Sequence, residues 1–350
     1  MISGAVWAMA ALAWPVLGEQ GKPTGREVDA ASLFARGTLA SAPVHSDPTA
    51  LGRVARRTAA ALRGCTRPER CGQVGLLSEL GVDQERVLKT LDFVARIAEE
   101  DAASGASRLT DPVFLQEHFE AFHWTPDQEA AAARKVKVSA TSIRLTRYLV
   151  YQVSGRATRT ETYDTALYGV VGDDTRWTAY TRVDAYAGIF EPGGEAQGLL
   201  KPLVYVTREG SNQALMQGTI QVSLPDGTKT LYNVHRNNGI AWNPKVRDGN
   251  LQERYWTFRE QPGIVGVEGV MLEPGVSVAG DIHNVGFGKL VVLRDDAGLR
   301  LAVLADTGGA FQPNLFQLDW LAGMFPSHGA YLEATSQLPD RVQASVLVLR

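Results

Sequence analysis

The sequence has 350 residues, of which 45% are hydrophobic and 21% are charged. These values are typical of one large or two ordinary globular domains and exclude a disordered chain. The formal net charge of -3 excludes the basic surface that nucleic-acid binding requires. The 35 glycines favour a body rich in turns and strands over a helix bundle.

Residues 1–18 predict a signal peptide. The apolar run Ile2–Gly18 is too short to span a membrane, and Val16-x-Gly18 has the small residues of a cleavage site. The run lacks a preceding positive charge, so a buried N-terminus is the alternative. No cysteine stands at its end to carry a lipid. Residues 19–48 are polar and contain Pro, Gly and Ser, which predicts a linker.

The two cysteines, Cys65 and Cys71, are six positions apart. In an exported chain such a pair most simply forms one small disulfide loop, and a free thiol or a metal role is the alternative. The six histidines are scattered without the spacing of metal ligands. We therefore expect no metal site and no cofactor.

Helices are predicted in the region that follows the linker. Ala50–Leu62 is rich in Ala and Arg, and a second helix has an apolar stripe at 4-3-4 spacing, formed by Val87, Leu91, Val94 and Ala98. Asp111 followed by Pro112 is typical of a helix start, with Leu115, Phe119 and Phe122 as the apolar face of that helix.

From Ser142 onwards the pattern changes to strands. Pro225-Asp226-Gly227 predicts a hairpin turn. Many short strands with glycine corners favour a barrel. The predicted strands are Ile143–Val153, Thr219–Leu224, Thr228–Val234, Ile264–Leu272, Gly275–Ala279, Lys289–Leu293, Leu299–Ala305 and Arg341–Leu349.

Two aspartates lie in apolar surroundings near the C-terminus. The predicted strand Leu299–Ala305 leads directly into Asp306 and a Thr-Gly-Gly turn, and Asp319 lies within Leu315–Leu321. Desolvation and a neighbouring like charge both raise a carboxyl pKa, so one of the two is expected to retain a proton near neutral pH. The alternative is that both aspartates cap turns.

Several segments resemble, in the same order, the membrane-bound lytic transglycosylase A (MltA-like) family of murein-cleaving enzymes. The resemblance covers the chain from about Arg108 to the C-terminus, and its last part is similar to the family's three-Asp (3D) domain. The segments are Leu145–Tyr148, Arg182–Gly188, Met216–Thr219, Leu224–Gly227, Asn237–Gly239, Gly280–Gly288, Ala305–Ala310 and Leu318-Asp319.

This resemblance implies a mainly β fold with N-terminal helices, in which a second β-domain is inserted into a double-psi β-barrel. Residues 49–153 would form the helical segment and the first barrel strand. Residues 154–256 would form the inserted domain, and residues 257–350 the rest of the barrel. A groove between the two domains would bind a glycan strand.

The resemblance also implies a function: a lytic transglycosylase that cleaves peptidoglycan. Asp319 would be the catalytic acid, Asp306 its supporting acid and Asp281 a structural acid. Candidates for substrate binding are Thr146, Tyr148, Gln217, Gly218 and Gly308. The protein would be an exported monomer without a membrane span, in the periplasm or at the outer-membrane periphery of a Gram-negative bacterium. Its partner would be the glycan strands of peptidoglycan.

Such an enzyme needs only one working carboxylate. The acid protonates the oxygen between N-acetylmuramic acid and N-acetylglucosamine, and as a base it then deprotonates the muramic C6 hydroxyl. That hydroxyl closes a 1,6-anhydro ring within the same sugar, so no water has to be positioned. Phe316, Leu318 and Trp320 are expected to exclude water around Asp319. Gly218 and Gly308 are expected to allow close backbone approach or a positive φ.

The sequence departs from the family pattern at four places near these residues. Arg147 stands in place of a Gly, and Leu149 stands in place of a second Tyr. Gly286-Phe287-Gly288 replaces a Pro-containing turn after the first Asp of the family pattern. No Arg precedes Asp319 at the usual place, where Gln317 and Leu318 stand instead. A glycan-binding barrel without turnover is therefore the alternative function. An aspartic protease is a further alternative, but the single Asp-Thr-Gly would require a symmetric dimer.

Overall fold

The computed structural model describes residues 13–18, 21–66, 74–311 and 313–350. The chain divides into two compact units. The first unit comprises Met1–Arg147, Gly266–Leu321 and Gln337–Arg350. The second unit comprises Tyr148–Val265 and Ala322–Ser336.

The helices and strands of the described residues follow in chain order. The helices are α1 (Ala30–Leu33), α2 (Pro48–Gly64), α3 (Gln84–Ser104), α4 (Pro112–His118), α5 (Gln128–Ala133), α6 (Arg182–Ala187), α7 (Arg208–Gln217) and α8 (His328–Thr335). The strands are β1 (Ala13–Leu17), β2 (Pro23–Asp29), β3 (Phe34–Gly37), β4 (Phe119–Trp124), β5 (Ile143–Ser154), β6 (Thr165–Val170), β7 (Leu200–Val206), β8 (Thr219–Ser223), β9 (Lys229–Asn237), β10 (Trp256–Gln261), β11 (Ser277–Ala279), β12 (Leu290–Asp295), β13 (Gly298–Asp306), β14 (Gln317–Phe325) and β15 (Arg341–Leu349).

Strands of the first unit pair in a closed ring. The order is β5, β14, β11, β13, β12 and β15, and β15 pairs back to the start of β5. Strands β4 and β3 extend the sheet from β15. The apolar runs of β12 and β13 are buried, and the pairing of β11 with β13 is parallel. The mainly β fold with N-terminal helices, predicted from the sequence, is confirmed at this level.

The predicted helices of the first unit are mostly confirmed. The side chain of Asp47 caps α2, the apolar stripe lies in α3, and α2 packs against α3. Asp111 caps α4 as predicted. The prediction that Phe119 and Phe122 continue this helix was wrong, because both belong to β4. There, backbone pairing with β15 and β3 on its two sides replaces the helical hydrogen bonds.

One strand prediction was also wrong. The segment Ile264–Leu272 contains a single short turn of helix at Val267–Gly269 rather than a strand. Glu268 and Gly269 both have positive φ, of 48° and 80°, a conformation that a continuous strand does not contain. The other predicted strands are present, with ends that differ by a few residues.

The N-terminal part of the chain differs from the prediction. Residues 1–12 of the predicted signal peptide lie outside the described residues, but Ala13–Leu17 forms β1 and pairs antiparallel with β2. Trp14, Val16 and Leu17 are buried. The predicted linker, residues 19–48, is corrected as well, because its described part contains β2, α1 and β3. Backbone pairing of β2 with β1 and of β3 with β4 orders this polar segment.

The second unit contains the remainder of β5, followed in the sheet by β8, β9 and β10. Strands β6 and β7 form a separate antiparallel pair. The predicted hairpin between β8 and β9 is confirmed, with Leu224 N donating to Thr228 O at 2.8 Å. The predicted insertion, residues 154–256, lies within this unit, which also includes the later segment Ala322–Ser336.

Two further observations concern the export-related predictions. Among the residues that the structure describes, no helix has the length and apolar character required to cross a membrane. Cys65 is disulfide-bonded. Its predicted partner, Cys71, lies outside the described residues, so the pairing of these two cysteines stays a prediction.

Candidate active site

Asp306 and Asp319 lie on the two strands that flank the short strand β11. Ala279 of β11 is the register partner of Asp306 in β13 and of Asp319 in β14. Because neighbouring strands are about 4.8 Å apart, the backbones of the two aspartates are separated by about 10 Å. The prediction placed both acids in one site, and the register brings them to the same level of the barrel wall.

Asp319 is partly buried, and its carboxyl differs from an ordinary aspartate in its hydrogen bonding and in its pKa. Its Oδ1 is buried and has no hydrogen-bond partner among the residues that the structure describes. Burial raises the pKa of Asp319 to about 6, although the nearby Thr146 hydroxyl and the charges of Arg144 and Arg147 act to lower it. A carboxyl of this pKa is half protonated at about pH 6 and keeps its proton in about one molecule in ten at pH 7, far more often than an ordinary aspartate. The protonated form is the state that a general acid requires.

Two of the three residues expected to exclude water around Asp319 lie on the other face of its strand. Leu318 and Trp320 are buried, but successive side chains of a strand project to opposite faces, so both lie on the face of β14 opposite to Asp319. The same alternation places Gln317 and Leu321 on the face of Asp319, and both are buried. The period of two residues in a strand could have predicted from the sequence that Gln317 and Leu321 share a face with Asp319.

The side chain of Thr146 forms hydrogen bonds with the two residues of β14 that precede the candidate acid. Its Oγ1 donates to Leu318 O at 3.3 Å and accepts from Gln317 Nε2 at 2.9 Å. Gln317 had been singled out only as a departure from the family pattern. Its amide fixes the hydroxyl of Thr146, which in turn influences the pKa of Asp319.

Arg147, the largest departure from the family pattern, is bound by the segment that precedes β15. Its Nη1 donates to Asp340 Oδ1 at 2.9 Å, and its Nη2 donates to Leu338 O. The guanidinium is therefore oriented by residues 338–340 of the same unit.

Asp281 has the opposite environment to Asp319. It is fully buried and accepts four hydrogen bonds: from the backbone N–H groups of His283, Asn284 and Asn314, and from Asn284 Nδ2. Burial raises its pKa to about 6, while these hydrogen bonds act to lower it. All of its partners are internal, which is the geometry of a structural acid.

Asp306 lies at the end of β13, where Gly280 and Thr307 connect two strands. Asp306 Oδ1 accepts from Thr307 N at 2.9 Å, and Thr307 Oγ1 donates to Gly280 O at 2.8 Å. Gly280 N donates to Asp306 O at 3.1 Å. Gly308 follows without positive φ, and a Cβ at this position would meet only Phe311, at 3.8 Å. The expectation of a positive φ at position 308 was therefore wrong, whereas close approach of its backbone to a ligand stays a prediction.

Tyr148, Gln217 and Gly218 belong to the second unit. Gln217 ends helix α7, and its Oε1 accepts from Leu149 N at 3.4 Å. Gly218 has a φ of 79°, as expected, because it ends the helix in the left-handed conformation. Tyr148 is half-buried in β5.

The first unit contains a buried lysine that no sequence pattern indicated. Lys289 is 1% exposed, and its Nζ has no hydrogen-bond partner within the described part of the chain. Burial lowers its pKa to about 7. The buried hydroxyl of Thr58 also lacks a partner. Lys289 lies between Gly288 and the start of β12. The alternation of side chains along β12 does not predict whether this position is buried or exposed.

Comparison with known proteins addresses the fold. No protein-family model matches the chain, and no curated protein sequence matches it significantly. Three solved structures resemble it over nearly their whole length. MltA from Neisseria gonorrhoeae has a TM-score of 0.59 at 14% identity, covering 97% of this chain and 96% of that one.

The second is Escherichia coli MltA with bound chitohexaose, with a TM-score of 0.58 at 16% identity, covering 91% of this chain and 94% of that one. The third is a membrane-bound lytic murein transglycosylase from Agrobacterium tumefaciens, with a TM-score of 0.57 at 16% identity, covering 87% and 93%. The chain has the MltA fold. The resemblance drawn from the order of short motifs is thereby supported at the level of the fold.

Proposed function

We propose that this protein is a peptidoglycan lytic transglycosylase that uses Asp319 as its single general acid and base. The observation that carries the proposal is the environment of Asp319. Its carboxyl is partly buried, its pKa is raised to about 6, and its Oδ1 has no internal partner. A buried polar atom without a partner costs stability, and such atoms are concentrated where a ligand completes the bonding. The MltA fold supports the same assignment.

In the proposed reaction, protonated Asp319 donates to the bridging oxygen between N-acetylmuramic acid and N-acetylglucosamine. The carboxylate that results accepts the proton of the muramic C6 hydroxyl as its oxygen bonds to C1. The products are a 1,6-anhydromuramic end and a free N-acetylglucosamine hydroxyl, and Asp319 recovers its proton. One such general acid contributes about 10²–10⁴-fold to the rate, and binding along the glycan supplies the rest.

Asp306 is proposed as a supporting group and Asp281 as a structural one. Thr146 supports Asp319 directly, since its hydroxyl acts on the pKa of that carboxyl. For Tyr148, Gln217, Gly218 and Gly308 a substrate-binding role stays a proposal. We also propose that the closed ring of the first unit is a double-psi barrel, and that the protein acts as a monomer in the periplasm or at the outer-membrane periphery.

A glycan-binding protein without turnover is the second candidate function, because Arg147 and Gln317 replace family residues beside the acid. The product distinguishes the two. Intact peptidoglycan is incubated with the protein and analysed by mass spectrometry. Release of 1,6-anhydromuropeptides supports the proposal. Binding to sacculi with no anhydro product overturns it in favour of the binding protein, and reducing ends indicate a hydrolase.

A further inference from the structure

We propose that the hairpin β1–β2, residues 13–29, remains part of the working protein, and that Asn284 and Arg26 are positioning residues for the strand that carries Asp319. The hairpin, Asn284 and Asp319 all belong to the first unit. The inference rests on the proposed function only for its activity readout.

The first connection runs from β1 through Asn284. This side chain is fully buried, and its amide makes four hydrogen bonds. Oδ1 accepts from Trp14 Nε1 at 3.1 Å and from Leu17 N at 2.8 Å. Nδ2 donates to Leu17 O and to Asp281 Oδ2, both at 2.7 Å. Three of the four bonds are therefore made to β1, and the fourth is made to Asp281.

Asp281 extends this connection towards the candidate acid from two sides. It lies two residues after Ala279, the register partner of Asp319. Its Oδ2 also accepts from Asn314 N at 2.7 Å, at the start of the loop that leads into β14. Asn314 Oδ1 then accepts from Phe316 N at 3.2 Å. The carboxyl of Asp281 thus joins the strand beside Asp319 to the loop before it.

The second connection runs from β2 through Arg26. Its guanidinium forms a bidentate pair with Asp127, with distances of 2.5 and 2.9 Å, and the side chain of Asp127 is 4% exposed. Asp127 N donates to Leu315 O at 3.1 Å, and Trp124 Nε1 donates to the same oxygen at 3.1 Å. Both connections from the hairpin therefore end in residues 314–316, directly before β14.

These contacts are incompatible with removal of residues 1–18 from the folded protein. Cleavage after Gly18 would delete β1, leave Oδ1 of buried Asn284 without donors, and expose the surface that Trp14, Val16 and Leu17 cover. A buried amide and a strand in backbone register are features of a retained segment. We therefore infer that any processing of this chain occurs before Ala13.

The first experiment measures where the mature chain starts. The full-length protein is expressed in a Gram-negative host, purified from the compartment in which it accumulates, and its intact mass is determined. We expect a first residue at or before Ala13. A folded protein whose first residue is Glu19 would overturn the inference. This measurement is independent of any enzymatic activity.

The second experiment tests positioning with the double variant Arg26→Gln/Asp127→Asn, which removes the ion pair without leaving a buried charge. Arg36→Gln is the matched control, since Arg36 lies in β3 and pairs with Glu120, away from residues 314–316. Arg26→Lys tests rescue by a conservative change. Hydrogen exchange of the amides of residues 314–316 is followed by mass spectrometry, together with the kinetics on sacculi.

In the double variant we expect exchange of these amides to accelerate at least tenfold. We also expect kcat to fall at least fivefold with KM within twofold of the unchanged protein. Arg36→Gln should change neither, and Arg26→Lys should recover part of the loss. Unchanged exchange in the double variant would overturn the positioning role. If no anhydro product forms even without substitutions, the proposed function fails, whereas the exchange data still decide the inference.

Discussion

Asp281 and Asp319 are both shielded carboxyls in the same barrel wall, but Asp281 accepts four hydrogen bonds whereas Oδ1 of Asp319 accepts none. Asp319 pairs with Ala279, which lies two positions before Asp281 in the chain. A carboxylate whose oxygens are all bound by internal donors contributes to structure, whereas Asp319 has a buried oxygen that no described donor reaches. This contrast separates the structural acid from the candidate catalyst.

Asp319→Asn should abolish the anhydro product while the protein stays folded. The amide cannot donate the proton that the leaving oxygen requires, and the loss should be about 10²–10⁴-fold or more. Product formation from sacculi is measured by mass spectrometry, with the melting temperature as the folding control. Full activity of the folded variant would exclude Asp319 as the acid.

Activity should decline as the pH rises above about 6, because Asp319 loses its proton with a pKa of about 6. The change of stability with pH also has a defined direction. The folded pKa lies above the ordinary value of about 3.9, so the folded state binds more protons between about pH 4 and 6. The contribution of Asp319 to the free energy of unfolding should therefore increase as the pH falls through this window. Comparing denaturant titrations of the unchanged protein and Asp319→Asn at several pH values measures it.

Thr146→Val should shift the decline of activity to higher pH. The hydroxyl of Thr146 lowers the pKa of Asp319, so its removal raises that pKa further. Thr146→Ser retains the hydroxyl and is the matched control. The measurement is kcat as a function of pH for the three proteins. Identical profiles for Val and Ser would show that the hydroxyl does not act on the acid.

Asp281→Ala should destabilise the first unit strongly. Four buried donors would lose their acceptor, at about 1–3 kcal/mol for each donor left unsatisfied. Asp226→Ala, in the exposed hairpin turn of the second unit, is the control and should have a much smaller effect. Chemical denaturation followed by circular dichroism gives both values. A loss at Asp281 no larger than at Asp226 would contradict the structural role.

Lys289→Met should stabilise the protein at neutral pH. The substitution keeps an unbranched apolar chain and removes a buried ammonium that has no partner, so a gain on the order of 1–3 kcal/mol is expected. Because burial lowers the folded pKa of Lys289 to about 7, the unfolded state binds more protons above that pH. The stability of the unchanged protein should therefore rise between about pH 7 and 10, and Lys289→Met should lose this slope. Lys201→Met, at an exposed position, should show no gain.

Several helices and turns of the fold were predictable because they depend on residues that are close in sequence. The stripe from Val87 to Ala98, the cap at Asp111 and the turn at Pro225–Gly227 each depend on neighbours in sequence. Phe119 and Phe122 were assigned wrongly because their partners in β15 lie more than half the chain away, and no local pattern reveals that pairing. Asp319 and Asp306 were selected as candidates from their apolar context and from the motif order, and their roles stay predictions. Gln317, Asn284 and Lys289 were not interpreted, since their roles arise only from contacts across the barrel.

The position of β15 between β12 and β4 has a consequence for the order of events during synthesis. The whole sequence of the second unit lies between β4 and β15, so the ring of strands cannot close until that unit has left the ribosome. Long-range pairing of this kind is slow, and unpaired strands are prone to aggregation. The helices α2 and α3 are therefore expected to form before the sheet of the first unit is complete. Dependence on chaperones should be greatest between the synthesis of α3 and the synthesis of β15.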